Sequence, residues 1–130
     1  MSFIIVQHLD PTHKSLLTEL IARHTKMKVA EVRDGMKVKP NCVYVIPPNK
    51  DLRIFNGTLQ LIEPKEQRSI RRSIDSFFQS LAEDQKEKAI GIILSGTGTE
   101  GTLGLKEIKA EGGLTLVQDP KTAQFAGMPQ

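Results

Sequence analysis

Short apolar, β-rich runs alternate along this chain with stretches in which apolar residues recur every three or four positions. The runs predict strands at residues 3–6, 29–32, 40–46, 89–94 and 114–117. A run that is apolar throughout, such as residues 3–6, is typical of a strand buried on both faces of a parallel sheet, and we expect the same of residues 89–94. The helical spacing predicts core-facing helices at residues 16–24, 69–82 and 101–110.

The segment 53–61 alternates apolar and polar side chains around Asn56-Gly57. Asn-Gly supplies the two positive-φ residues that a type I′ turn requires, so this segment predicts a β-hairpin. Strands and helices alternate on either side of it. This order predicts an α/β fold, namely a doubly wound, mostly parallel sheet with helices on both faces and a small antiparallel hairpin. The length of 130 residues predicts one domain over residues 1–130.

Composition argues against several classes of function. The formal charge is +3, but basic and acidic residues are interspersed and aromatic residues make up only 5%, so nucleic-acid binding is not expected. The single cysteine, Cys42, lacks a partner for a disulfide or a metal motif, which favours a core position for it, a cytoplasmic location and no bound metal. Neither an apolar run of about 20 residues nor a signal peptide is present, so we expect no membrane insertion.

Polar residues directly follow three of the predicted strands. His8 follows the first strand, the glycine-rich segment 95–100 follows the strand at 89–94, and Asp119 follows the last one. In open α/β sheets, ligands bind beyond the carboxyl ends of the strands. These residues are therefore the candidates for chemistry.

One hypothesis for the glycine-rich segment is a dinucleotide site. Gly96-x-Gly98-x-x-Gly101 follows a predicted strand and opens a predicted helix, and Asp119 stands where an acidic residue would bind a ribose hydroxyl. Glu100 opposes this hypothesis, because it would put a carboxylate beside the pyrophosphate.

The second hypothesis is a hydrolytic site. A histidine at a strand end is a candidate for acid–base chemistry, and Glu100 could orient His8 by accepting a hydrogen bond from one ring nitrogen. This pair would form two thirds of a triad; the alternative is a histidine that only hydrogen-bonds across the sheet edge. None of the seven serines has the Gly-x-Ser-x-Gly setting of a nucleophile on a sharp strand-to-helix turn.

A basic cluster precedes or opens the helix predicted at 69–82. It consists of Lys65, Arg68, Arg71 and Arg72, and Asp75 follows it in or near the first turn. Such a cluster is either a solvated basic face or a docking patch for an acidic protein segment. Because cations at a helix N-terminus are unfavourable for the helix dipole, we favour docking.

Several segments of the chain match a known family. Residues 3–9 read Phe-Ile-Ile-Val-Gln-His-Leu, residues 43–48 Val-Tyr-Val-Ile-Pro-Pro, residues 74–78 Ile-Asp-Ser-Phe-Phe and residues 91–101 Gly-Ile-Ile-Leu-Ser-Gly-Thr-Gly-Thr-Glu-Gly; Gln118-Asp119-Pro120 and Gly127-Met128-Pro129 fit as well. Together they resemble the catalytic domain of the chemotaxis protein-glutamate methylesterases (CheB). The resemblance covers essentially the whole chain and is closest to the form fused to a CheR-type methyltransferase.

The resemblance implies a hydrolytic domain with a doubly wound α/β fold, a Ser-His-Asp triad and no cofactor. Such a domain hydrolyses glutamyl methyl esters on methyl-accepting chemoreceptor helices, and often deamidates receptor glutamines; a receiver domain or fused methyltransferase is an implied partner. His8 matches the family's catalytic histidine, and Glu100 occupies the position of its aspartate. Thr97, between Gly96 and Gly98, lies where the family's loop gives a backbone N–H to the oxyanion hole.

Two departures from the family pattern bear on activity. The family's serine lies in a glycine-rich turn ahead of the segment that matches Phe3, so we expect this chain to be truncated at its N-terminus and inactive alone. Residues 125–130 end without an obvious terminator, so we expect truncation at the C-terminus as well. Glu100 adds a methylene to the group that orients His8. A missing strand would leave an exposed sheet edge, which predicts a homodimer or marginal stability. The alternatives are a receptor-docking or regulatory module without chemistry and, third, a dinucleotide-binding domain.

Overall fold

A computed structural model of the chain describes residues 1–6, 17–47, 50–63, 73–94 and 101–118. The chain divides into two compact units, Met1–Arg71 and Arg72–Gln130. The described helices and strands, in chain order, are β1 (Phe3–Ile5), α1 (Leu17–Ala22), β2 (Lys28–Glu31), β3 (Met36–Lys37), β4 (Cys42–Val45), β5 (Asp51–Phe55), β6 (Thr58–Ile62), α2 (Ser73–Gln85), β7 (Ile90–Ile93), α3 (Thr102–Ala110) and β8 (Leu114–Val117).

The first unit contains a parallel sheet in the order β1-β4-β2. Strand β4 is central, with Ile4 and Ala30 opposite Tyr44 on its two sides. Val43, Tyr44 and Val45 are buried, so β4 supplies the core of this sheet. The Tyr44 hydroxyl accepts a hydrogen bond from the Lys39 N–H at 2.8 Å, which satisfies the polar end of a buried ring.

An antiparallel sheet in the order β3-β6-β5 completes the described part of the first unit. Strands β5 and β6 pair from Phe55 opposite Thr58 to Asp51 opposite Ile62. Between them, Asn56 has φ 49° and Gly57 has φ 72°, the two positive values of a type I′ turn. The predicted hairpin is confirmed, because the turn residues and the alternation of β5 and β6 point to the same register.

The second unit is built from α2, β7, α3 and β8. Strands β7 and β8 pair in parallel, and α3 connects them. The spacing that predicted a core-facing helix is confirmed in α2, where Ile74, Phe77 and Ala82 are buried. A cluster formed by Ala82, Ala89 and Ile108, with Phe78 and Leu81 packed against it, holds the core of this unit together.

Three expectations about burial are wrong. Strands β1 and β7 are not covered on both faces, since Phe3 is 42% exposed and Ile92 is 50% exposed. Helix α1 buries no residue fully, and its Leu20 is 49% exposed. Cys42 is only half-buried rather than part of the core. The spacing of apolar residues indicates which side chains can be buried, but it does not tell whether another helix or strand packs against them.

The described part of the chain contains no helix long and apolar enough to cross a lipid bilayer.

Candidate functional site

The carboxyl ends of β7 and β8 lie at the same edge of their sheet, because the two strands are parallel. Ile93 is opposite Val117, and the Gln118 N–H donates to the Ile93 carbonyl at 2.8 Å. From Leu94 the chain enters residues 95–100, which lie outside the described residues, and it returns at Gly101 to begin α3. The structure therefore describes both the strand that leads into the glycine-rich segment and the helix that follows it.

Most of the residues proposed for the site from the sequence lie outside the described residues. These are His8, Gly96, Thr97, Gly98 and Glu100, together with Arg71, Arg72 and Asp119. Asp75 is the proposed site residue within the described ranges, and the structure brings it into contact with Gly101, which follows Glu100.

Gly101 is the N-cap of α3 and has φ 101°, a value that L-residues with a side chain rarely adopt. A Cβ atom at this position would lie 2.7 Å from Cδ1 of Ile93 and 3.4 Å from Cγ2 of Ile74. Both the backbone conformation and the packing therefore require glycine. The consequence is that the N-cap has no side chain of its own to accept hydrogen bonds from the first turn of α3.

Asp75 supplies that acceptor from the first turn of α2. Its Oδ1 atom accepts hydrogen bonds from the Gly101 N–H at 3.0 Å and from the Gly104 N–H at 2.8 Å. These are the N–H groups of the N-cap and N3 positions, the two that the paired side chains of a capping box satisfy within one helix. Here a single carboxylate from a neighbouring helix satisfies both, and its negative charge lies at the positive end of the α3 dipole.

Gly104 allows α3 to approach α2 closely enough for this contact. A Cβ atom at Gly104 would lie 2.4 Å from Cβ of Phe78 and 3.0 Å from its Cδ2. Phe78 stands three residues after Asp75 and so lies on the same face of α2. This role of Gly104 was not predicted from the sequence; the signal that could have revealed it is the Gly-x-x-Gly spacing of residues 101 and 104 at a helix start.

The capped helix start bears on the dinucleotide hypothesis. A pyrophosphate would bind the free N–H groups at the N-terminus of the helix after the glycine loop. In this chain the N–H groups of Gly101 and Gly104 are bonded to a carboxylate, which would also repel a phosphate. The arrangement therefore argues against an anion-binding site at the start of α3.

Metal chemistry receives no support from the geometry. Within the described ranges, no group of three or more His, Cys, Asp or Glu side chains could hold a metal ion.

Comparisons with known proteins give consistent matches. Residues 1–130 match the family model described as CheB methylesterase. The chain is 40% identical over 114 residues to an uncharacterized 104.1 kDa protein of Rhodobacter capsulatus, a match that covers 88% of this chain and 12% of that protein. It is 35% identical over 133 residues to protein-glutamate methylesterase/protein-glutamine glutaminase 1 of Carboxydothermus hydrogenoformans, covering 98% of this chain and 39% of the relative.

A solved structure matches as well. The chain is similar to the crystal structure of the Thermotoga maritima CheB methylesterase catalytic domain, with a TM-score of 0.84 and 32% sequence identity over 97% of this chain and 69% of that one. The predicted α/β fold, with mostly parallel strands and a small antiparallel sheet, is thereby confirmed. The chain spans 12% and 39% of the lengths of the two relatives above.

Proposed function

This chain belongs to the CheB methylesterase family, and we propose that it provides the acid–base pair of an enzyme that hydrolyses glutamate methyl esters on proteins. The observation that carries the proposal is that the family match covers the whole chain, and therefore includes both His8 and Glu100. The capped start of α3 supports it, because the Gly101 and Gly104 N–H groups that a phosphate would use are already bonded to Asp75.

The proposed chemistry is an acyl transfer in two steps. A serine hydroxyl attacks the ester carbonyl while His8 takes its proton, and His8 then returns the proton to the departing methanol. Water then attacks the acyl-enzyme while His8 takes its proton, and His8 gives this proton to the departing serine oxygen, which releases a glutamate carboxylate. Glu100 orients the imidazole, and the backbone N–H of Thr97, between Gly96 and Gly98, donates to the oxyanion.

The proposed mechanism needs a nucleophilic serine, and the 130 residues contain none in the sequence motif that surrounds the family's serine. None of their seven serines stands in a Gly-x-Ser-x-Gly turn. We therefore propose that hydrolysis requires a nucleophile segment ahead of residue 3, and that these 130 residues alone do not turn over.

The proposed substrate is a methylated chemoreceptor helix, and glutamine deamidation would use the same oxyanion and acid–base groups. A receiver domain or a fused methyltransferase is the proposed regulatory partner, and the cytoplasm the proposed location. Arg71 and Arg72 are proposed to dock the substrate, whereas Asp75, which the sequence grouped with them, accepts hydrogen bonds from Gly101 and Gly104 instead. The homodimer predicted from an exposed sheet edge stays a prediction, which size-exclusion chromatography of the chain would test.

Methanol release from a methylated receptor tests the proposed function. We expect release from a polypeptide in which a Gly-x-Ser-x-Gly segment precedes the chain, and none from the chain alone. In the extended polypeptide, His8→Ala should lower kcat on the order of 10⁶-fold and Glu100→Ala on the order of 10⁴-fold, the losses typical of triad members. An extended polypeptide that binds receptor and releases no methanol would favour the docking alternative instead.

The docking role of the basic cluster has a separate test. Replacing Arg71 and Arg72 together with Glu should weaken binding of an acidic receptor segment, because two attractive charges become repulsive. Replacing Lys106 and Lys109 together with Glu makes the same change in net charge at two exposed positions of α3 and is the matched control. Equal affinity of the double arginine variant and the unmodified chain for the acidic segment would contradict the docking role.

A further inference from the structure

The start of α3 is fixed by a residue that lies 26 positions earlier in the chain. Oδ1 of Asp75 accepts hydrogen bonds from Gly101 at 3.0 Å and Gly104 at 2.8 Å. Because hydrogen bonds in which one partner is ionised are about twice as strong as neutral ones, a carboxylate is a better anchor here than a neutral side chain. The anchor therefore joins the first turns of α2 and α3.

The packing around this anchor leaves the backbone little freedom. Cδ1 of Ile93 and Cβ of Phe78 occupy the space that side chains at positions 101 and 104 would need. The first turn of α3 is thus held from two sides, by β7 through Ile93 and by α2 through Phe78. Asp75 adds the directional contact, since an apolar surface alone does not fix how a peptide group is rotated.

The hydrogen bond at Gly101 acts on one specific peptide group. The Gly101 N–H belongs to the same planar peptide group as the Glu100 carbonyl. A hydrogen bond that orients this N–H therefore orients the whole peptide group. Asp75 therefore restrains the peptide group by which the glycine-rich segment 95–100 joins α3. Leu94 marks the other end of the segment, where the chain leaves β7.

We infer that Asp75 is a positioning residue, which fixes the segment carrying Thr97 and Glu100 by holding the Glu100–Gly101 peptide group from α2. This inference rests on the proposed function for its effect on hydrolysis. Asp75 acts through the hydrogen-bonded backbone and not through contact with the substrate, so its removal lowers kcat and leaves KM nearly unchanged. A shift of about 1 Å in a catalytic group costs on the order of 100-fold in rate.

Two substitutions separate the hydrogen bonds from the charge. Asp75→Asn keeps an oxygen at the Oδ1 position, whereas Asp75→Ala removes the acceptor. Ala82→Gly is the matched control for stability, because it weakens the same helix two turns away and leaves the anchor intact. Each variant is made in the chain itself for hydrogen exchange, and in the extended polypeptide with a preceding Gly-x-Ser-x-Gly segment for hydrolysis.

The first measurement does not depend on activity. Native-state amide hydrogen exchange at Gly101, Gly104 and residues 96–100 should become on the order of 10-fold to 100-fold faster in Asp75→Ala, and remain within about threefold in Asp75→Asn, as expected for loss of a local anchor. Ala82→Gly should not increase exchange preferentially at these residues. Unchanged exchange in Asp75→Ala, or a change confined to residues 101 and 104, would overturn the inference that Asp75 fixes the segment.

The second measurement is the hydrolysis of a methylated receptor. We expect kcat to fall between 10-fold and 100-fold in Asp75→Ala with KM within about twofold, and to return in Asp75→Asn to within about threefold of the unmodified enzyme. Equal kcat losses in Asp75→Ala and Ala82→Gly would overturn a positioning role. An extended polypeptide without substitutions that hydrolyses no ester would contradict the proposed function instead, while the exchange result still decides whether Asp75 fixes the segment.

Discussion

The two faces of the β7–β8 sheet are made by alternate residues of the same strands, yet they differ greatly in how closely their side chains are packed. On the inner face, Ile93 is 3% exposed and a Cβ atom at Gly91 would lie 2.7 Å from Cδ1 of Ile108. On the outer face, Ile92 and its cross-strand neighbour Leu116 are about half exposed. The inner face is fixed by close contacts, whereas the outer face is apolar without being packed.

This difference matters for the candidate site, because the glycine-rich segment begins after an exposed residue and ends at a buried one. It leaves β7 after Leu94, which is 63% exposed, and it returns at Gly101, which is buried against Ile93. Its return is therefore fixed by the inner face and by Asp75. We expect substitutions on the inner face to disturb the site and comparable ones on the outer face to leave it intact.

The largest effect is expected for Ile93→Thr. This change removes a buried methyl group, puts a hydroxyl into an apolar environment and withdraws Cδ1 from Gly101, so the free energy of unfolding should fall by about 3 kcal/mol. Urea denaturation of the chain measures it. A loss below about 1 kcal/mol would mean that the inner face is not the packed one.

A smaller loss, of about 2 kcal/mol, is expected for Gly104→Ala. The added methyl group meets Cβ of Phe78, which cannot move without moving α2, so strain outweighs the gain of about 1 kcal/mol in helix propensity. The denaturation midpoint reports the loss, with the exposed Lys106→Ala on the same helix as its control. A stabilised Gly104→Ala variant would show that α3 can shift away from α2 freely.

Gly91→Ala should cost about 1 kcal/mol. Its methyl group would meet Cδ1 of Ile108 at 2.7 Å and Cδ2 of Leu105 at 2.8 Å, the ends of side chains that can rotate. Shortening one of them by Ile108→Val should relieve the strain. In a double-mutant cycle, the combined loss should therefore be smaller than the sum of the two single losses. Strict additivity would contradict a direct contact between these positions.

The smallest effect is expected for Ile92→Thr, the same chemical change as Ile93→Thr one residue earlier. Because half of this side chain is exposed, the free energy of unfolding should fall by less than about 1 kcal/mol. Parallel urea denaturation of the two variants makes the comparison direct. Similar losses at positions 92 and 93 would show that the outer face is covered in solution.

Sequence patterns predicted those features that depend on neighbouring residues. The Asn56-Gly57 turn, the buried face of α2 and the strand β8 all follow from local conformation or spacing. The exposure of Ile92 was not predictable, since a run that is apolar throughout does not tell which element covers it. The hydrogen bonds of Asp75 were not predictable either, because residues 75, 101 and 104 meet only when α2 packs on α3.

For the site itself, the sequence carries most of the information. The family resemblance stated from its motifs is confirmed, while the roles of His8, Thr97 and Glu100, the fusion to a methyltransferase and the truncation remain predictions. Motifs identify residue types at fixed spacings, which is enough for a family. They do not show how a loop is held, and here the structure adds Asp75 and Gly104.

Tyr44 gives the chain a built-in optical reporter. It is the only tyrosine, and the sequence contains no tryptophan, so intrinsic fluorescence originates in the first unit alone. Its ring is buried and its hydroxyl is hydrogen-bonded to Lys39, hence unfolding of that unit changes the emission. The helical signal in circular dichroism, in contrast, comes mainly from the second unit, because α2 and α3 have 13 and 9 residues and α1 of the first unit has 6. Coincident curves from the two signals would mean that both units unfold as one cooperative body, and separate curves would assign each transition to its unit.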